Sequence, residues 1–186
     1  MTTLPLSCRC GEVTGIVKDV TNSSGNRLIC CCSDCQAFVS KLMPEDNILD
    51  AHGGTDIYQT SPASIEITTG REKIRYLRLT EKGTFRWYAD CCKTPIGNTL
   101  GPKMPFVGLI HGFWAEKPRW EEVVGPPSAR VQTKYALNLP ADAPKPVGFP
   151  LGVTLKIMLK ILGWKMFGKG KPNPFFDPKG RPLPET

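Results

Sequence analysis

Cysteine clustering is the feature that most constrains what this chain can fold into. All eight cysteines fall into three short segments, at residues 8–10, 30–35 and 91–92. Neighbouring Cα atoms lie about 3.8 Å apart, whereas an unstrained disulfide needs about 4.4 to 6.8 Å, so bridges between adjacent cysteines would be strained. Disulfide frameworks also spread their cysteines along the chain. The clustering therefore favours tetrahedral zinc, on which several thiolates converge, over a set of disulfides.

Length and the first residues set the expected class of protein. A chain of 186 residues suits one domain with appendages better than two independent cores. Residues 1–7 contain neither a basic region nor an apolar run, so no signal peptide is expected. The sequence therefore predicts a cytoplasmic protein in a compartment that keeps thiols reduced.

The positive charge of the chain is concentrated at one end. The formal net charge is +7, and residues 143–186 contain eight basic residues against two acidic ones. The cysteine-bearing region has no basic stripe interleaved with aromatic residues, which is the pattern expected of a nucleic-acid surface. We therefore expect no nucleic-acid partner.

Residues 1–125 are predicted to form a cysteine-rich, zinc-binding β domain. Short runs of β-branched and aromatic residues alternate with turn residues, which is typical of strands in a mainly β, antiparallel fold. A possible helical turn over residues 32–42 is the one exception. The predicted strands cover residues 13–17, 65–69, 74–79, 84–88 and 106–110.

Three further segments follow the predicted β domain. Residues 126–150 are Pro-rich and predict a linker, and residues 151–167 predict an apolar helix that carries three lysines. The helix is too short for a transmembrane span, and docking on the β core or on a partner is favoured over contact with a membrane surface. Residues 168–186 predict an extended Gly/Pro-rich basic tail that Phe175 and Phe176 anchor.

Residue spacing selects the candidate metal ligands. Residues two apart in a strand point to the same face, so Cys8 and Cys10 can reach one ion. Cys32 and Cys35 form a C-x-x-C turn, and Cys30, two residues earlier, can add a third thiolate. In an extended segment Cys31 points elsewhere.

These cysteine segments, read with their neighbours, resemble a known family. The segments C-R-C-G at 8–11, C-C-C-S-D-C at 30–35 and C-K-T-P-I at 92–96 are similar to the signature blocks of glutathione-dependent formaldehyde-activating enzymes and centromere protein V-like proteins. The similarity covers about residues 5 to 115. It implies an Mss4-like (β-tent) fold of zinc-bound antiparallel sheets and two zinc sites.

The resemblance also implies roles for the cysteines. Cys8, Cys10 and Cys92 belong to a closed structural site, and Cys30, Cys32 and Cys35 to an open site that would be catalytic. The implied reaction is that of a carbon–sulfur lyase or synthase, in which glutathione or a similar small thiol joins formaldehyde.

Three positions depart from the family pattern. Ala89 stands where the family has the first cysteine of the third block, so Cys91 is the candidate fourth structural ligand. Cys31 replaces a histidine in the middle block, and Lys93 replaces a glycine after the last cysteine. The resemblance therefore implies zinc binding more strongly than it implies the family's catalytic activity.

Several alternatives stay open at this point. The middle group is equally well interpreted as a purely structural zinc knuckle. Cys31 is a fourth ligand, a reactive thiol or, the favoured interpretation, a small buried residue. His52 either lines a pocket or completes the middle site, although a solvated loop histidine is favoured. The competing function is a non-catalytic, zinc-stabilised binding module that uses its C-terminal helix and basic tail.

Overall fold

A computed structural model describes residues 2–43, 48–140 and 148–183, and in these ranges the chain is mainly β. The strands are β1 (Thr2–Ser7), β2 (Thr14–Val20), β3 (Asn26–Cys30), β4 (Thr55–Thr60), β5 (Ile65–Thr69), β6 (Ile74–Leu77), β7 (Phe85–Ala89), β8 (Pro95–Thr99), β9 (Val107–Ile110) and β10 (Arg130–Val131). The α-helices are α1 (Ser33–Leu42), α2 (Lys117–Val124) and α3 (Leu151–Met166).

The strands form two sheets. The smaller sheet has the order β1-β2-β5, and the larger has the order β10-β3-β4-β9-β8-β7-β6. Neighbouring strands pair antiparallel except β10, which pairs parallel with β3. The predicted mainly β, largely antiparallel fold is therefore confirmed.

The main core contains residues from both sheets. Leu4 and Leu6 of β1 belong to the same buried cluster as Tyr58, Leu109 and Trp87 of the larger sheet. Burying apolar surface in this way is the main favourable contribution to folding, at about 25 cal/mol per Å². This core therefore joins the two sheets, and Cys8 belongs to it.

The C-terminal tail packs back onto this core. Phe175 and Phe176 are buried, and their rings lie 5.0 and 5.4 Å from the ring of Trp87. Aromatic pairs at such distances add about 0.5–1.5 kcal/mol beyond the area they bury. The predicted anchoring of the tail through these two residues is confirmed.

A second, smaller cluster lies on the opposite face of the larger sheet. Ile57 belongs to this cluster and its neighbour Tyr58 to the main core, as expected because successive strand residues point to opposite faces. Leu28, Cys30 and Cys35 share the cluster with Ile57. This face of the sheet therefore holds the middle cysteine segment.

Helix α3 covers part of the same face. Ile161 is buried, and Val153 and Ile157 pack against the smaller cluster. The sequence predicts a helix over 151–167, α3 covers Leu151–Met166, and its inner face docks on the β core. No helix in the described parts of the chain is long and apolar enough to cross a membrane.

Three local features differ from what the sequence suggested. The possible turn after Cys32 is a complete ten-residue helix, α1. Helix α2 was missed because it has eight residues and only Trp120 and Val124 are buried, which leaves too few apolar positions for a helical period. The segment predicted as a linker adds β10 to the edge of the larger sheet.

Candidate metal centres

Four cysteines from two distant segments meet at one point. Cys8 and Cys10 follow β1, and Gly11, with a φ of 80°, turns the backbone so that Gly11 N–H donates to the Cys8 carbonyl at 3.0 Å. Cys91 and Cys92 lie in the turn between β7 and β8. All four sulfur atoms lie within 4.8 Å of one another, so this four-cysteine group could hold a metal ion.

The sulfur spacing tests whether a metal fits the four-cysteine group. Four thiolates at about 2.3 Å from a tetrahedral zinc would lie about 3.8 Å from each other. The Sγ atom of Cys91 lies 3.8 Å from that of Cys8, 3.3 Å from that of Cys10 and 3.9 Å from that of Cys92, and the Cys8–Cys10 distance is 3.5 Å. The residues present therefore fit a tetrahedral ion with Cys91 as the fourth ligand.

Polar groups contact two sulfur atoms of the four-cysteine group, but burial still raises the pKa of Cys8. The backbone N–H of Val13 donates to Cys8 Sγ at 3.2 Å, and the Thr94 hydroxyl lies 3.1 Å from Cys92 Sγ. Burial raises the pKa of Cys92, but hydrogen bonds from Thr94 and Cys10 outweigh it and lower that pKa to about 6. Burial and the neighbouring thiols raise the pKa of Cys91. One thiolate thus forms readily, and a bound cation would favour the others.

The second group, the three-cysteine group, lies within six consecutive residues. Cys30 ends β3, Cys32 caps the N-terminus of α1, and Cys35 lies in the first turn of that helix, with all three sulfurs within 4.8 Å. The backbone N–H of Cys35 donates to Cys32 Sγ at 3.3 Å. A helix N-terminus carries partial positive charge and stabilises thiolates. This group could also hold a metal ion.

The pKa values in the three-cysteine group show how the thiols share charge. Hydrogen bonds from the Cys30 and Cys35 thiols lower the pKa of Cys32 to about 2. Hydrogen bonds to the neighbouring sulfurs, together with burial, raise the pKa of Cys30. The first thiolate therefore forms easily and the others resist ionisation, which is the condition in which a metal ion displaces protons.

Arg86 places a cation beside the three-cysteine group. Arg86 is 4% exposed, one of its guanidinium nitrogens lies 3.8 Å from Cys35 Sγ, and another donates to Asp34 at 3.2 Å. Three thiolates around a divalent ion carry a net charge of −1, which one arginine can balance. A buried charge is costly unless it is paired, so Arg86 suits an anionic centre.

A fourth protein ligand is missing from the three-cysteine group. No further cysteine, histidine or carboxylate joins it among residues 2–43, 48–140 and 148–183. Cys31 is buried as predicted, and its sulfur accepts from Arg130 at 3.4 Å, outside the group. Three protein ligands and an open position are the arrangement of catalytic zinc, whereas structural sites are closed.

The two histidines lie outside both cysteine groups. His52 Nδ1 lies 3.3 Å from the Leu137 carbonyl oxygen, and the backbone N–H of His52 donates to the Asp50 carboxylate. Burial lowers the pKa of His111, as expected of a strand-end residue packed inside the fold. One interpretation of the sequence placed His52 in the middle site. The structure does not, because His52 lies outside the three-cysteine group.

Sequence reasoning missed two residues at these centres, Arg86 and Thr94. Arg86 stands between Phe85 and Trp87 in a strand of large side chains, and a cation in such a strand is a signal for a buried anionic partner. Thr94 contacts Cys92 and also accepts from the Arg9 N–H at 3.0 Å. Thr94 belongs to the C-K-T-P-I segment, but its contacts could not be predicted from it, because they depend on the fold bringing residues 9 and 94 together.

Comparisons with known proteins place the chain in a family. A search of curated proteins finds no match. One family model matches residues 1–186, and this family is described as one of unknown function. The chain therefore belongs to the family of unknown function DUF6151.

Proposed function

We propose that this protein binds two zinc ions and that the three-cysteine group is a reactive centre for small thiols. The observation that carries the proposal is the convergence of three thiols, two of them buried, around a position that no fourth protein ligand fills among the described residues. The four-cysteine group would hold a structural ion. Thiolates select zinc over harder divalent cations such as magnesium and calcium.

The family resemblance supplies the candidate reaction. The chain would be a divergent relative of glutathione-dependent formaldehyde-activating enzymes, and a zinc ion on Cys30, Cys32 and Cys35 would keep a substrate thiol ionised at neutral pH. The thiolate sulfur would attack the carbonyl carbon of formaldehyde. A carbon–sulfur bond forms as the carbon–oxygen π bond breaks, and the thiol proton ends on the new hydroxyl group.

The chain's own residues would orient and balance this centre. Arg86, which donates to Asp34 and also contacts Cys35, would offset part of the negative charge of a zinc ion held by four thiolates. The N-terminus of α1, capped by Cys32, would favour the same charge.

Zinc-edge X-ray absorption with glutathione as the probe tests the proposal. Filling the open position with a thiolate should raise the mean number of sulfur ligands per zinc from about 3.5 to about 4. Cys32→Ser should abolish the change, whereas Cys31→Ala, one residue away but with its sulfur outside the group, should retain it. Unchanged coordination at saturating glutathione would show that the centre does not bind thiols.

Turnover is measured separately from thiol binding. ¹³C-formaldehyde and glutathione followed by NMR should form the S-hydroxymethyl adduct faster with the wild-type protein than without it. Cys32→Ser should return the rate to that of buffer. Thiol binding without acceleration would contradict the proposed enzymatic reaction but would still support a thiol-binding zinc centre.

A second candidate function, membrane-surface binding through α3, rests on a different observation. The outer face of α3 exposes seven large apolar side chains between 54% and 85%, namely Leu151, Leu155, Met158, Leu159, Leu162, Met166 and Phe167. At 100° per residue, those within the helix occupy a stripe about 100° wide. Such a stripe on a surface helix is typical of interfacial helices.

Charge complementarity indicates an anionic bilayer as the occupant of this stripe. Lys165 is exposed beside the stripe, and Lys169 and Lys171 follow the helix, also exposed. Each lysine near an anionic lipid surface contributes about 1 kcal/mol. We infer that α3 lies in the interface with its apolar stripe among the acyl chains and these lysines at the headgroups.

Vesicle co-sedimentation tests the membrane proposal. The protein should bind vesicles containing phosphatidylglycerol more tightly than pure phosphatidylcholine, and Leu159→Ser combined with Leu162→Ser should weaken binding at least tenfold. Leu137→Ser, which changes an equally exposed leucine elsewhere, is the control. Absence of vesicle binding, together with a dimer that the α3 variants dissociate, would instead assign the stripe to a second copy of the chain.

A further inference from the structure

A row of polar residues crosses the face of the larger sheet that lies opposite the main core. Paired strand residues point to the same face, and the register pairs Asn26 with Gln59, Gln59 with Gly108, Gly108 with Asn98, and Asn98 with Arg86. The row therefore runs across β3, β4, β9, β8 and β7. Buried positions of this kind are usually apolar, as the next pair, Leu28 and Ile57, shows.

Three residues of the polar row, Asn26, Gln59 and Arg86, are buried with unsatisfied polar atoms among the described residues, and the first two are amides. Asn26 is 4% exposed and Gln59 is 6% exposed. Both amide atoms of Asn26 and the amide oxygen of Gln59 have no hydrogen-bond partner among the described residues. Each such group costs about 1–3 kcal/mol. Stability alone would favour an apolar side chain at position 26, so this asparagine indicates a ligand.

A cleft between α3 and β3 opens at Asn26. Its walls include Leu28, Val153 and Ile157, and Lys156 contributes a cation. The cleft has a volume of about 190 Å³, room for about six water molecules at roughly 30 Å³ each, or for one small organic molecule.

We propose that this cleft binds a small carboxylate that also carries an amide, of the N-acyl amino acid class. Asn26 lines the cleft and offers one donor and one acceptor, which complement an amide group. Lys156 complements the carboxylate. The apolar walls suit the short hydrocarbon part between them.

The cleft is separate from the three-cysteine group. Asn26 and Cys30 lie on the same face of β3 four residues apart, which is about 13 Å along a strand. The Leu28 side chain stands between them on that face. Binding in the cleft therefore requires no metal. A failure of the thiol chemistry proposed for the cysteines would leave the cleft proposal unaffected.

NMR titration of the ¹⁵N-labelled full chain with N-acetylglycine tests the proposal. We expect saturable shifts of the Asn26 side-chain amide signals with a dissociation constant near 1 mM, about what a ligand of this size reaches. Lys156→Gln should weaken binding about tenfold, because a charge-assisted hydrogen bond is lost. Lys165→Gln, on the same helix outside the cleft, should leave it unchanged. Acetate and N-acetylglycinamide, each lacking one of the two groups, should bind at least tenfold more weakly.

A second variant separates recognition from folding. Asn26→Leu should abolish binding while raising or preserving the thermal midpoint, since it removes the unpartnered amide atoms. If Asn26→Leu fails to fold, Lys156→Gln, which changes an exposed residue, still tests whether the cleft binds N-acetylglycine. No saturable shift up to 20 mM N-acetylglycine, or binding that both variants leave unchanged, would overturn the proposal.

Discussion

The two cysteine groups differ in burial, in ligand number and in the parts of the chain that they join. The four-cysteine group includes two exposed residues, Cys10 and Cys91, yet its sulfurs complete a tetrahedron. In the three-cysteine group Cys30 and Cys35 are 7% and 5% exposed, and one position is open. The complete site is thus at the surface, and the incomplete one is largely buried. Burial alone would suggest the opposite, with the closed structural site inside the fold and the open site at the surface.

Chain connectivity explains this difference. The four-cysteine group joins Cys8 to Cys91, 83 residues apart, so a metal there would close a long loop and restrict the unfolded chain strongly. The three-cysteine group spans residues 30–35 and closes almost no loop. We therefore expect a metal at the first group to contribute strongly to folding, and a metal at the proposed reactive centre to contribute much less.

The largest expected effect comes from removing a ligand of the four-cysteine group. Cys92→Ser should abolish cooperative unfolding of the domain, because a structural zinc contributes on the order of 10 kcal/mol, comparable to the total stability of a domain. Cys32→Ser should keep a cooperative transition with a much smaller shift. Differential scanning calorimetry of both variants makes the comparison, and a Cys92→Ser protein as stable as wild type would contradict it.

Metal removal should separate the same two groups. As a chelator concentration is raised at equilibrium, the ion held by three protein thiolates should leave first, with the near-ultraviolet circular dichroism preserved. The second ion should leave together with the fold. Loss of both ions in one step would indicate that the groups are not independent.

Arg86 offers a smaller and more selective change. Arg86→Met removes the cation beside Cys35, and we expect zinc affinity at the three-cysteine group to fall about 10- to 100-fold, as for other residues that support metal ligands. Competition against a chromophoric chelator measures the affinity. Arg86→Lys should recover part of the loss. Arg78→Met, which removes a cation stacked on Phe85, should have no effect on either ion.

The smallest predicted effect concerns the turn that carries the four-cysteine group. Lys93 has a φ of 58°, in the left-handed region that favours glycine. Lys93→Gly should stabilise the protein by about 0.5–1 kcal/mol, because the strain of a β-carbon in this conformation is relieved. Lys93→Ala removes the same ion pair with Asp90 but keeps the strain, so chemical denaturation should show no gain for it.

The sequence predicted the ligand types but not the surroundings of the metal centres. Spacing alone indicated that Cys8 lies near Cys10 and Cys30 near Cys35, because residues a few positions apart stay close. The strand geometry expected for Cys8 and Cys10 was wrong, since both lie in a turn beyond β1. Whether Cys91 joins Cys92 depended on a turn between strands, and the contact of Arg86 with Cys35 depended on packing across the sheet. The strand register that aligns Asn26 with Gln59 is likewise a long-range property, which local patterns do not contain.

Zinc content per folded chain is the most direct test of two separate centres. Inductively coupled plasma mass spectrometry should find two zinc ions per wild-type chain and one in Cys32→Ser, with the β-sheet circular dichroism of the variant retained. One zinc per wild-type chain, or loss of the fold together with the first ion in Cys32→Ser, would contradict the division into a structural and a reactive centre.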